Sequence, residues 1–179
     1  MKNKLFVSAI GLLVSMSFSV AHAKDKKQSE LEALEKVVQE HLKTFDDLDF
    51  NVFSNQKWDE MHKSHSKDVK VHWPDGHITT GIDRHIDDLK YMFTYAPDTR
   101  IKQHPVKIGQ GEWTAVYGVM EGTFTKPMTT ADGKVIQPTG KAFSLPMATL
   151  SHWTKDGNFD EEYLFWDNQT YMTQLGLGK

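Results

Sequence analysis

"EEYLFWDNQTYMTQLGL", Glu161 to Leu177, contains a strand, a helix start and a helix stop in one short stretch. Read with period 2, Tyr163, Phe165 and Asp167 project from one face of the strand, and Leu164, Trp166 and Asn168 from the other. A carboxylate beside two rings is costly to desolvate. Asp167 is therefore either a surface residue where the strand stops, or a carboxyl set in an apolar cavity with its pKa raised. After it, Thr170 to Leu175 reads as a short helix that Gly176 ends.

Working outward, the same alternation recurs upstream. Arg100 to Ile108, Trp113 to Thr125, Lys141 to Thr154 and Phe159 to Asp167 read as strands, separated by Gly109-Gln110-Gly111, a long Lys126 to Gly140 loop and Lys155-Asp156-Gly157-Asn158. The part before them is helical. Ser29 stands three residues before Glu32 as a capping box, and Leu31, Leu34, Val38, Leu42 and Phe45 follow at helical spacing. A shorter helix follows Ser54, with Trp58, Met61, His62 and His65 along one stripe. Val69 to Trp73 and His77 to Thr79 are short strands around the Pro74-Asp75-Gly76 turn. Gly81 to Thr94 carries Ile82, Ile86, Leu89 and Phe93 and stops at Ala96-Pro97, where the α conformation is disfavoured. Helices first and meandering antiparallel strands afterwards make the α+β class.

The amino terminus has a different character. Lys2 and Lys4, an uncharged apolar run from Leu5 to Val20 and Ala21-His22-Ala23 make the three blocks of a secretory signal. The expected organisation is a signal peptide over 1–23, a charged disordered leader over 24–28 and a single domain over 29–179, exported to the periplasm or secreted. The chain carries 21 basic and 24 acidic residues, and losing Lys2 and Lys4 moves its net charge from −3 to −5. That balance argues against nucleic acid or an anionic membrane surface as partner. There is no cysteine for a lipid anchor or a disulfide, and no later apolar run long enough for a bilayer span.

Gly122-Thr123-Phe124, Pro138 to Lys141, Asp156 to Asp167 and Gln174 to Leu177, in that order and spacing, resemble the SnoaL-like polyketide cyclases, often labelled ester cyclases. The resemblance runs from the first helix to the last. It implies the nuclear-transport-factor-2-like cone, a curved antiparallel sheet wrapped around N-terminal helices with a deep pocket between them. It also implies an acid/base aspartate on the final strand, matched by Asp167, with a histidine on the preceding strand, matched by His152, and no metal or cofactor. Family members commonly have histidine where this chain has Phe124.

Asp167 also has a structural reading as helix N-cap, a task Asn168 can take instead. His152, alternating with Leu150 and Ala148, is by itself a core or rim histidine that gains meaning only beside Asp167. His62, His65, His72 and His77 invite a metal reading, but their stripe with Trp58 and Met61 reads as a helix face against the sheet, and no metal is expected. Trp73, Met120, Phe124, Tyr163 and Phe165 are the expected pocket wall, suited to a small hydrophobic or aromatic molecule. The expected function is acid/base aldol-type cyclisation, isomerisation or dehydration of a small carbonyl compound; the alternative is a non-catalytic periplasmic carrier of an apolar ligand. On strand Trp113 to Thr125, one of the two rows, Trp113/Ala115/Tyr117/Val119 or Val116/Gly118/Met120, fills the cone. The other calls for cover, as in a symmetric dimer.

Overall fold

Helix formers dominate Lys24 to Val37, and Lys26–Glu30 and Gln28–Glu32 pair one turn apart, so the chain is helical well before Ser29. In the computed structural model, which describes the backbone of residues 8–178 and the side chains of residues 24–178, helix α1 spans Ser8–Asp47. The expected leader over 24–28 is therefore helix, and Ser29 is an interior position, not a cap. Lys2 and Lys4, the basic block of the expected signal, lie outside the described residues. The chain forms two compact units, residues 1–37 and 38–179. In the first, Leu31 and Leu34 are exposed. Among the described side chains of α1, the apolar stripe is buried from Val38 on, through Leu42 and Phe45.

In the second unit α1 passes into a π-helical turn, Leu48–Phe53, and then a 3-10 turn, Trp58–Lys63. Strands β1 (His65–His72) and β2 (Ile78–Thr80) form a hairpin, followed by α2 (Ile82–Tyr95). Gly81 opens α2 at a φ of 98°, a conformation in which any Cβ would be strained. The expected strand over 100–108 is two pieces, β3 (Arg100–Ile101) and β4 (Val106–Gln110), both antiparallel to β5 (Trp113–Thr123). Pro105 lies in the break between them, as a residue without an N–H commonly does. The long loop contains a small separate hairpin of β6 (Met128–Thr129) and β7 (Val135–Ile136). Strands β8 (Ala142–Trp153) and β9 (Phe159–Trp166) and helix α3 (Asn168–Gln174) complete the chain.

The main sheet has the order β2-β1-β9-β8-β5-β3, with β4 also on β5. Every pairing is antiparallel except β1 with β9, which is parallel. The helices pack on one face of it. On β5 the inward row is Thr114, Val116, Gly118, Met120 and Gly122, which decides between the two rows left open by the sequence. Trp113 and Tyr117, on the outer row, are partly exposed together with Leu150 and Phe165.

The last strand departs from simple alternation. Phe159 pairs with Trp153 and Glu161 with His152, so Asp160 is an extra residue in β9. This bulge reverses the parity beyond it. Phe159, Glu162 and Leu164 are all buried, whereas Phe165 is 51% exposed.

Candidate active site

A cavity of about 50 Å³ lies between the helices and the inner face of the sheet. Its walls are mostly apolar: Phe45, Leu48, Phe53, Leu89, Ile101 and Leu164, with Trp73 and Trp166 and the methionines 61, 92, 120 and 147. Trp73 is held by its indole N–H, which donates to Thr79 Oγ1 at 2.9 Å. Four polar side chains other than threonine face this apolar space: Asp49, His65, His85 and Glu162.

Glu162 comes from β9, His65 from the first position of β1 and His85 from the first turn of α2. Glu162 Oε1 lies 3.1 Å from His85 Nε2 and 3.7 Å from His65 Nε2. All three side chains are buried, yet Glu162 Oε1, His65 Nε2 and His85 Nδ1 have no hydrogen-bond partner. Burial raises the Glu162 carboxyl, partly offset by His85. Burial likewise lowers both imidazoles, His65 to about 3 and His85 to about 4, so at neutral pH both rings are uncharged. Among the described residues these three form the group of metal-ligating side chains whose donor atoms lie within 4.8 Å of one another.

The fourth group is wired differently. Asp49 sits on the π-helical turn, an irregularity that rotates its side chain toward the cavity and is frequent at functional sites. Its Oδ2 lies 2.8 Å from His104 Nε2, and His104 Nδ1 lies 2.7 Å from Asp46 Oδ1, both at hydrogen-bonding distance. Asp46 in turn holds Lys107. Burial opposes a charged His104, but its hydrogen bonds to Asp49 and Asp46 outweigh that and raise its pKa. Burial also raises Asp49, with His104 pulling the other way. Gly118 makes room for this ring: a Cβ there would stand 3.1 Å from His104 Cδ2.

The residues singled out in the sequence are dispersed. Trp73 and Met120 line the cavity. Phe124 is fully buried against Tyr95 in the core and is absent from the cavity wall. Tyr163 and Phe165 belong to the outer face, where Tyr163 stacks on His72 with centroids 3.9 Å apart. Asp167 is exposed and caps α3: its Oδ1 accepts from the amides of Gln169 and Thr170 at 2.8 and 3.0 Å, and these bonds, Thr170's first, lower its pKa. The expected buried carboxyl with a raised pKa is thus corrected. His152 is half-exposed and bound to Asp160 at 2.7 Å. It pairs with Glu161, while Asp167 follows Trp166, so the two lie about 20 Å apart along the strand. Of the histidines weighed as ligands, His65 alone faces the cavity; His72 binds Glu161, His77 binds Asp75 and His62 bonds the carbonyl of Asp59.

Glu162, Asp49 and His85 escaped the sequence reading. Their signals were a carboxylate sharing parity with Leu164 and Trp166, and a histidine within the Ile82/Ile86/Leu89 stripe of α2. Asp49 carried no signal, since a π-turn is invisible to a period of 3.6.

The chain belongs to the SnoaL-like polyketide cyclase family, which residues 50–175 match. Membership implies small-molecule binding within this fold. Similar solved structures include a SnoaL-like polyketide cyclase candidate from Jannaschia sp. CCS1, with 18% identity, a TM-score of 0.67, and 79% of this chain and 94% of that one covered. Another is IdmH, a polyketide cyclase candidate from Streptomyces antibioticus, at 20% identity and a TM-score of 0.63, covering 76% of this chain and 98% of that one. No curated protein matches the chain in sequence. At these identities the likeness carries the architecture, not the reaction. No described helix is long and apolar enough to cross a membrane.

Proposed function

We propose that the protein is an enzyme that moves a proton next to the carbonyl of a small, mostly apolar compound, giving aldol-type closure, isomerisation or dehydration. The observation that carries this reading is Asp49, a carboxylate in an apolar cavity held by a histidine that a second carboxylate braces. We read His104, with one nitrogen 2.7 Å from Asp46 and the other 2.8 Å from Asp49, as an imidazolium whose partner Asp49 is ionised and ready to accept. A proton taken from the carbon beside the carbonyl goes to Asp49 as the enolate forms. It then returns from Asp49 to another atom of the ligand, while the His104 imidazolium, braced by Asp46, holds the carboxylate in place. The cavity volume of about 50 Å³ holds a few waters. A larger ligand enters by rotation of the flexible methionines that form much of the wall.

The test starts with native mass spectrometry of protein purified from its own cells, which identifies a bound compound. That compound is then incubated with wild type and Asp49→Asn in D2O, with product and deuterium incorporation followed by NMR. The reading expects exchange and turnover by wild type and a loss of about 100-fold or more in the variant. A compound recovered unchanged from wild type would instead support the carrier reading, which the apolar wall favours. We further infer export and a homodimer. The basic, apolar and Ala-His-Ala blocks support the first, and a mature terminus at Lys24 is its check. The exposed Trp113, Tyr117, Leu150 and Phe165 on the outer sheet face support the second, and light scattering is its check.

A further inference from the structure

We propose that His65, His85 and Glu162 bind one divalent transition-metal ion, of the zinc or iron(II) type, with its open positions facing the cavity. Three Lewis bases converge here with no hydrogen-bond donor set between them. Ser64 Oγ is placed to donate to the carbonyl of Met61 at 3.2 Å and to accept from His65 Nδ1 at 2.9 Å. In that tautomer His65 Nε2 carries a lone pair toward Glu162 Oε1, 3.7 Å away. An unprotonated nitrogen and a carboxylate oxygen repel unless a cation lies between them. The buried, unpartnered Oε1 of Glu162 and Nε2 of His65, with His85 Nε2 3.1 Å from that oxygen, mark an arrangement that the protein alone leaves incomplete.

The spacing suits an ion. Ligands about 2.1 Å from a tetrahedral centre stand about 3.4 Å from each other. The two measured approaches to Glu162 Oε1, 3.1 and 3.7 Å, bracket that separation. Two imidazoles and one carboxylate favour zinc, iron(II) or their neighbours over calcium or magnesium, which take oxygen donors, and the absence of thiolate disfavours copper(I). The bond from His65 Nδ1 to Ser64 is the outer contact that fixes a ligating ring. Water or a substrate oxygen would complete the shell, for which the adjacent cavity has room.

In use, this site rests on the function proposed above: the ion would take the carbonyl oxygen as a Lewis acid while Asp49 takes the proton. Binding itself can be tested without any substrate. Full-length mature protein is freed of metal with a chelator and titrated with Zn²⁺ by calorimetry and with Co²⁺ by visible absorption. The expected result is one ion per chain, a rise in melting temperature, and cobalt bands of a low-symmetry N/O site. Glu162→Gln and His85→Gln should each weaken Zn²⁺ by about 100-fold or more, and Ser64→Ala by about 10-fold. Circular dichroism establishes that the variants are folded, and His62→Ala and His77→Ala, at exposed histidines, should bind as wild type does. No binding by wild type, or binding unchanged in folded Glu162→Gln and His85→Gln, overturns the proposal. The Asp49→Asn comparison is scored separately, so loss of turnover there with no metal bound would leave the enzyme reading standing and remove only the ion.

Discussion

Glu161 and Glu162 are neighbours with the same side chain and opposite circumstances. Glu161 faces out, where His72 Nε2, Tyr163 Oη and Lys70 Nζ approach one of its oxygens at 2.7, 3.2 and 3.3 Å. His72 leads these contacts in lowering its pKa. Glu162 faces in, 3% exposed, and burial raises it. What separates them is parity on a strand, and parity here is set by one inserted residue, Asp160. Sequence distance says nothing about electrostatic environment when adjacent side chains point to opposite sides of a sheet.

Inserting one alanine between Asp160 and Glu161 is the strongest way to break the comparison. It would reverse the parity again and drive either Phe159 outward or Glu161, Tyr163 and Phe165 inward. The expected loss is more than about 4 kcal/mol, seen as an absent or collapsed urea transition.

The second break concerns the cavity's other polar cluster. His104→Gln removes the cation from between Asp46 and Asp49 and should cost about 3 kcal/mol at low pH. The folded pKa of His104 is raised above 6.5, so its stabilisation is complete below pH 6.5 and fades as pH rises through the folded value. The groups facing the ring are Asp46 and Asp49, with Lys107 behind Asp46; Gly118, Phe45 and Phe50 add no charge. Melting curves across pH should show the gap between wild type and variant narrowing on the alkaline side. A gap that widens there would refute the assignment of an imidazolium.

Next in size is a gain. In metal-free protein, Glu162→Gln should stabilise by about 1–2 kcal/mol, because it removes an ionisable group buried without a partner. Glu161→Gln, in the exposed network, should cost less than about 1 kcal/mol. Urea titration of both variants sharpens the comparison directly, and equal shifts would contradict it. The smallest effect belongs to Asp167→Asn, expected to change stability by only about a few tenths of a kcal/mol, since asparagine caps a helix about as well as aspartate. Activity should be unaffected. A large loss of turnover would restore Asp167 to the chemistry.

The extent to which the sequence was legible follows the same division. Strands β5, β8 and β9 and helices α2 and α3 came out within a few residues of their ends, because long alternating or amphipathic runs bounded by Gly, Pro and Asp-Gly pairs leave little choice. The site did not come out. Phe159 is buried, and counting by twos from it leads to Glu161, Tyr163, Phe165 and Asp167, the exposed set; the bulge that invalidates the count has no glycine to announce it. Asp167 looked catalytic because it ends an aromatic strand, yet the amides of α3 claim it. Met120 lines the cavity because it lies on the regular inward row of β5, which pairs with β8 in unbroken register.

The parallel pairing of β1 with β9 bears on the order of folding. Lys70 and Glu161 are paired across 91 positions of chain. Closing so long a loop yields few contacts until nearly everything between is in place, so this seam is expected to zip late, after the β5–β8–β9 meander has formed. His65 sits on one side of the seam and Glu162 on the other. The cavity's polar floor thus comes together near the end of folding, and a chain emerging from a ribosome or a translocation pore cannot assemble it until β9 has followed.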